Sequence, residues 1–189
     1  MNKTLIFTEA NQKNIWQKID EIALVLMRFD QDYDPFLMCG EAGIQLFLFH
    51  RCFELDDEEN YVKISDRYGQ RIDNIHKKTL YINDPQKCNA GLAGGLSGIG
   101  WMLDYMIRYP MIDADLFEVM GSADPKVFRR MIYDVQEDRY DLLQGAVGIA
   151  LYCVNRNERF SREYLNRFVA ELYKRMTLGK LNDIQDYSI

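Results

Sequence analysis

The chain has 189 residues, 48% of them hydrophobic and 13% aromatic, with a net charge of −6. That is enough apolar chain for one domain with a real core, and it excludes a disordered polymer. The acidic balance argues against a phosphate-binding surface, so no nucleic-acid partner is expected, and four prolines with twelve glycines exclude collagen-like and low-complexity classes.

The N-terminal run MNKTLIFTEANQKN carries no apolar stretch of signal-peptide length. The longest apolar runs, 46–49 and 145–154, fall far short of a membrane span, so a cytoplasmic chain without membrane contact is expected. From Trp16, the positions Ile19, Ile22, Ala23, Leu26 and Phe29 recur in steps of three and four, which predicts an amphipathic helix. Asp34-Pro35 marks a loop. Gly40-Glu41-Ala42-Gly43-Ile44 then opens a strongly apolar segment, IQLFLFHRCF. Asp56-Asp57-Glu58-Glu59 is a charge run that caps the next helix, whose stripe is Tyr61, Ile64, Tyr68, Ile72 and Ile75.

Asp84-Pro85 marks the next loop, and Gly95-Leu96-Ser97-Gly98-Ile99 opens a second apolar segment that ends before Pro110. A third stripe runs Val127, Phe128, Met131, Ile132 and Val135, with Asp124 as the expected N-cap and Pro125 in the first turn. Gly145-Ala146-Val147-Gly148-Ile149 opens the third apolar segment, IALYCV. The last stripe runs Tyr164, Leu165, Phe168, Val169, Leu172, Tyr173 and Met176, with Ser161 as the expected cap. No stretch alternates in the manner of a half-buried strand.

Gly-x-x-Gly-Ile thus occurs three times, at 40–44, 95–99 and 145–149, at intervals of 55 and 50 residues. Residues 1–189 read as a single all-α repeat domain, in which Gly-led helices apolar nearly all round alternate with helices that have one apolar stripe. The Gly-led helices are expected to be enclosed and the others outside, as a solenoid or an α/α toroid. Gly40, Gly43, Gly95, Gly98, Gly145 and Gly148 are expected to act structurally, permitting tight turns and close approach of helices.

The segments GLAGGLSGIGWMLDY, LLQGAVGIALY and CGEAGIQLFLF resemble the repeated glycine motifs of the lanthionine synthetase C-like family. The resemblance covers residues 16–176 and implies an α/α toroid whose inner helices are introduced by such turns. Complete members of the family are zinc-dependent cyclases that add a cysteine thiol to a dehydrated Ser or Thr of a peptide, forming a thioether ring. Their zinc is held by two Cys and one His in Trp-Cys-x-Gly and Cys-His-Gly contexts, and none of these occurs here. The resemblance therefore implies three hairpins of a partial toroid, without the zinc-binding half and with no cofactor in this chain. A peptide is the implied substrate class.

Chemistry-bearing residues are few. Cys39, Cys52, Cys88 and Cys153 form no CxxC pair, and the only histidines are His50 and His76. His50 and Cys52 lie two apart on a helix and point about 200° from each other, so they do not share a metal readily. No metal site is expected, and the thiols are expected to pack as small hydrophobes. Cys39 and Cys88 precede Gly-rich turns and are candidates for the mouth of the inner layer. Glu41 and Asp141, at equivalent ends of the first and third Gly-led segments, with Asp104 inside the second, are the only candidates for a carboxylate pair of the glycosidase kind. Their alternative roles are a polar turn residue and an N-cap. The alternatives to a peptide-modification role are a noncatalytic peptide- or sugar-binding repeat module and a carbohydrate-active toroid enzyme. Three hairpins form an arc with two apolar flanks, on the helices at 16–29 and 164–176, which predicts a homodimer or association with a partner that supplies the missing half.

Overall fold

In the computed structural model, which describes residues 9–28, 34–38, 40–80, 84–156 and 159–177, the chain is all-helical. In order, the helices are α1 (Glu9–Arg28), α2 (Glu41–Leu55), α3 (Glu58–Leu80), α4 (Leu96–Arg108), α5 (Leu116–Met120), α6 (Asp124–Gln136), α7 (Ala146–Arg156) and α8 (Arg159–Thr177). A short 3-10 helix, Pro85–Lys87, precedes the second glycine turn. The stripes at 16–29, 61–75, 127–135 and 164–176 fall in α1, α3, α6 and α8; Phe29 and the side chains of Tyr68, Ile72 and Ile75 lie outside the described set.

The Gly-led segments form one layer. α4 packs between α2 and α7, while α1 and α3 back α2, and α6 and α8 back α7. This is an arc of an α/α toroid, with α2, α4 and α7 inside and α1, α3, α6 and α8 outside. Local chemistry sets the ends. Gly40 and Gly95 hold extended backbone at the N-caps of α2 and α4. Asp56 turns left-handed to end α2, and the Asp57 carboxylate accepts from the Asn60 N–H to start α3, as the charge run predicts. α4 stops at Arg108, just before Pro110. Asp115 caps α5 through the Phe117 N–H, 2.7 Å away; this single turn is too short to show periodicity in the sequence.

Glycine is needed here for close approach rather than for a special backbone angle. A Cβ on Gly98 would sit 2.0 Å from the Leu92 carbonyl oxygen, and a Cβ on Gly148 would sit 2.0 Å from that of Leu142. Both values lie far inside van der Waals contact, and neither glycine has the positive φ that would penalise a side chain by itself.

Two expected caps have other roles. The N-cap of α6 is Ala123, and the Asp124 carboxylate is buried, accepting from the Tyr152 hydroxyl at 2.6 Å and the Arg156 Nε at 2.8 Å. Sequence spacing could suggest a cap but could not reveal partners 28 and 32 residues away. Ser161 is buried inside the first turn of α8, and its carbonyl faces the Cys153 thiol. The inner helices are also less enclosed than their composition suggests, since α7 exposes Val147, Leu151 and Val154.

The close approach makes a clear prediction. Gly98→Val and Gly148→Val must each displace the carbonyl of their own turn and press on the leucine of the turn before, and each should destabilise the fold by about 1–3 kcal/mol or more, as overpacked sites do. Urea denaturation of both variants measures this, and unchanged midpoints would remove the packing role assigned to the turns.

Candidate functional site

The glycine turns are joined by a backbone ladder. The Met38 N–H donates to the Ala93 carbonyl at 3.0 Å, and the Ala93 N–H donates to the Leu143 carbonyl at 2.7 Å. These three residues recur at the 55- and 50-residue intervals of the glycines. At the third turn the Leu143 N–H instead meets the Asp141 carboxylate at 3.0 Å, which also takes the Gln144 N–H at 2.7 Å. Asp141 is thus an exposed turn-capping residue.

Glu41 sits in the first turn of α2, where the helix N-terminus favours its charge. It is buried, accepts from the Gln45 amide at 3.1 Å and faces Arg67 of α3 at 3.3 Å. Asp104 is paired with Arg108 one turn later. Glu41 faces the outer layer, Asp141 serves its own turn and Asp104 holds an arginine. The structure does not assemble these three carboxylates into an acid–base pair.

The thiols are equally occupied. Cys88 is buried, and its burial pushes the thiol pKa up. Its carbonyl, with those of Pro85 and Gln86, accepts from Nη1 of Arg130, which clamps the loop before the second turn onto α6. Arg130 also reaches the buried Asp134, whose pKa is raised by desolvation against the pull of its arginines. Burial likewise raises Cys52, and it pushes Cys153 up to about 12. Cys39 lies outside the described residues, as does the side chain of His76. Zinc coordination needs thiolates or neutral imidazoles converging on one point. Among the described residues no three His, Cys, Asp or Glu side chains do so. The protonated, buried thiols at Cys52, Cys88 and Cys153 do not fit a catalytic zinc.

On α2 and α4 a run of aromatic side chains reaches the surface of the inner layer. Nε2 of the exposed His50 lies 3.0 Å from the Tyr105 hydroxyl. Trp101 stacks on Tyr105 with ring centres 5.9 Å apart, and Tyr109 follows at 4.5 Å. Arg108 continues the strip toward α7 by donating to the Asn155 carbonyl. His50 and Tyr105 are 55 residues apart, one repeat interval, so they occupy the same register on adjacent inner helices. That interval was the sequence signal for this strip, and reading each helix separately misses it. Stacked rings with one imidazole and one guanidinium at the edge suit an extended chain with apolar and amide groups.

Comparisons with known proteins bear on this arrangement. The family model described as "Lanthionine synthetase C-like protein" matches residues 31–187. Comparison with curated proteins and with solved structures gives no match. Among the described residues no helix is long and apolar enough to cross a membrane.

The buried polar groups generate a pH prediction. The Cys153 thiol rises from an ordinary 9.0 to about 12, and burial beside the Asp124 carboxylate raises Tyr152 well above its usual value. Both folded-state pKa values are raised, so this stability is complete below the unfolded pKa values and is lost as pH rises toward the folded ones. The melting temperature should hold between pH 7 and about 8.5 and fall above about pH 9, where unfolded thiols ionise. Cys153→Ala should flatten the first part of that fall in thermal scans, and an identical slope would contradict the assignment.

Proposed function

The chain belongs to the lanthionine synthetase C-like family, and from that membership we propose that it serves peptide modification by holding a peptide, with ring closure left to another centre. The observation that carries this reading is the stacked strip of His50, Trp101, Tyr105 and Tyr109 on the open face of the inner layer. In complete family members a cysteine thiol of the peptide adds to a dehydrated residue, which requires a thiolate. In this chain His50 is the one described imidazole. Its Nε2 is hydrogen-bonded to the Tyr105 hydroxyl, a neutral phenol. The peptide would therefore be bound and oriented across the strip, its apolar side chains against Trp101 and Tyr105 and its carbonyls toward Arg108. The work would take place in the cytoplasm, where thiols stay reduced. The carbohydrate-active alternative loses its basis where Glu41 and Asp141 hold other partners.

Titration with a peptide containing Cys and dehydroalanine tests the reading. In a Trp16→Phe background Trp101 is the only tryptophan, so it reports binding directly. Saturable quenching is expected, weakened about tenfold by Tyr105→Ala, a loss of about 1.4 kcal/mol. Peptide thiol should be consumed at the uncatalysed rate. Quenching by oligosaccharides but not by peptide would overturn the proposal, as would thiol consumption well above background.

A further inference from the structure

The outer layer is thin behind the middle repeat. α1 and α3 back α2, and α6 and α8 back α7, whereas α4 is backed by α5, a helix of five residues. A cavity of about 350 Å³ lies among α2, α3, α4 and α5. Its floor is made by Phe49, Leu103 and Met106, all buried side chains of the inner layer, and Val119 of α5 closes one side. Leu103 and Met106 leave α4 on the side away from Trp101 and Tyr105, so the cavity is separate from the aromatic strip.

The wall on α3 is Tyr61, Ser65 and Gly69, one helix face in steps of four. Gly69 stands in the interior of α3, where glycine weakens a helix relative to alanine. Close packing does not require it there. A Cβ on Gly69 would meet nothing within 4 Å, whereas one on Gly98 or Gly148 would strike a carbonyl oxygen. The missing side chain leaves space in the cavity instead of admitting another element. The opening is acidic: the exposed Asp113 lines it beside Tyr61, whose hydroxyl donates to the Met111 carbonyl and ties the segment after α4 to α3. Burial, and then the charge of Asp113, push the Tyr61 phenol pKa up. Glu41, Asp104, Asp124 and Asp134 each face an arginine, but among the described residues Asp113 has no cationic partner.

We propose that this cavity binds a small aromatic amine, its ring on the apolar floor and its ammonium group at Asp113. A cavity of about 150 Å³ walled by Leu, Ile and Phe takes a benzene, so this one has room for a ring with a short arm. Phe49 and Tyr61 already form an edge-to-face pair with ring centres 5.4 Å apart, and a third ring extends it. The Met106 thioether adds a sulfur contact that favours a ring over a saturated chain. At the opening the ammonium donates to the Asp113 carboxylate, with the Ser65 hydroxyl as a second acceptor. The net charge of −6 attracts a cation and disfavours a carboxylate of the same shape.

Isothermal titration of the full chain with phenethylamine, phenethyl alcohol and hydrocinnamate tests this. The amine should bind saturably at one site per chain, the alcohol about fivefold more weakly, and the carboxylate more weakly still. Asp113→Asn should reduce the amine to the affinity of the alcohol. Gly69→Leu fills the cavity from a position where nothing obstructs the new side chain, so it should melt no earlier than wild type and weaken the amine at least tenfold. Ser65→Leu, one turn earlier on the same face, takes its place if that variant melts early. The proposal is overturned if the amine gives no saturable heat up to about 5 mM, if amine and alcohol bind equally, or if the folded cavity-filling variant binds the amine as wild type does.

Discussion

The architecture depends on how closely the glycine turns approach one another. A backbone N–H reaches the carbonyl of the neighbouring turn only if the chains come together without intervening side chains. The second glycine of each motif keeps that space clear, since a methyl group at Gly98 or Gly148 would crowd the Leu37 or Leu92 Cβ of the preceding turn, 3.0 and 2.9 Å away, besides striking the Leu92 or Leu142 carbonyl of its own turn. Once the rungs are made, the inner helices that follow are fixed side by side and in register. A residue on one inner helix then meets the residue one repeat interval further along, as His50 meets Tyr105.

The layers are joined by a different kind of contact. Most of the core is apolar, and such packing alone tolerates sliding of one helix on another. Asp124, Tyr152 and Arg156 fix a single alignment of α6 on α7, because displacement would leave a carboxylate and a guanidinium buried without each other. Tyr152 can reach this position because Gly100 of α4 leaves room for its ring; a Cβ there would lie 2.5 Å from a ring carbon. The Arg130 clamp on the carbonyls of Pro85, Gln86 and Cys88 does the corresponding work for the loop entering the second turn. Arg51, with Asp20 and the face of Trp16, does it between α1 and α2.

Much of this was legible in the sequence, because two periods are superimposed there. The interval between Gly-x-x-Gly motifs gives the repeat, and the steps of three and four give the outer helices, so the architecture followed from spacing. Partnerships of single side chains did not. Asp124 before a proline has the pattern of a cap, yet its carboxylate is held by groups from another helix, and only the fold shows them. Glu41 and Asp141 both stand near the start of a Gly-led helix but differ by five positions in repeat register: Glu41 lies in the first turn of α2, buried against Arg67 of α3, whereas Asp141 precedes α7 and faces solvent. The aromatic strip is an intermediate case. Its members are ordinary core-type residues singly, and only comparison at the repeat interval sets His50 beside Tyr105.

Asp141 shows how the chain treats the end of its own ladder. Shifted back by one and two repeats its position holds Gly91 and Phe36, neither of which has a carboxylate. In those turns the N–H two residues on finds a carbonyl in the next turn, so no side-chain acceptor is required. Among the described residues no carbonyl of a further turn reaches the third, and Asp141 accepts from Leu143 and Gln144 instead. An unpaired row of backbone donors is the feature that makes sheet edges prone to uncontrolled pairing, and a local charged acceptor blunts it in the same way here. The polar part of the open edge is thus satisfied within the chain, while its apolar part, Leu142 with Val147, Leu151 and Val154, is not. At this edge the backbone donors are satisfied and the side chains are left bare, so its exposed character is apolar rather than polar.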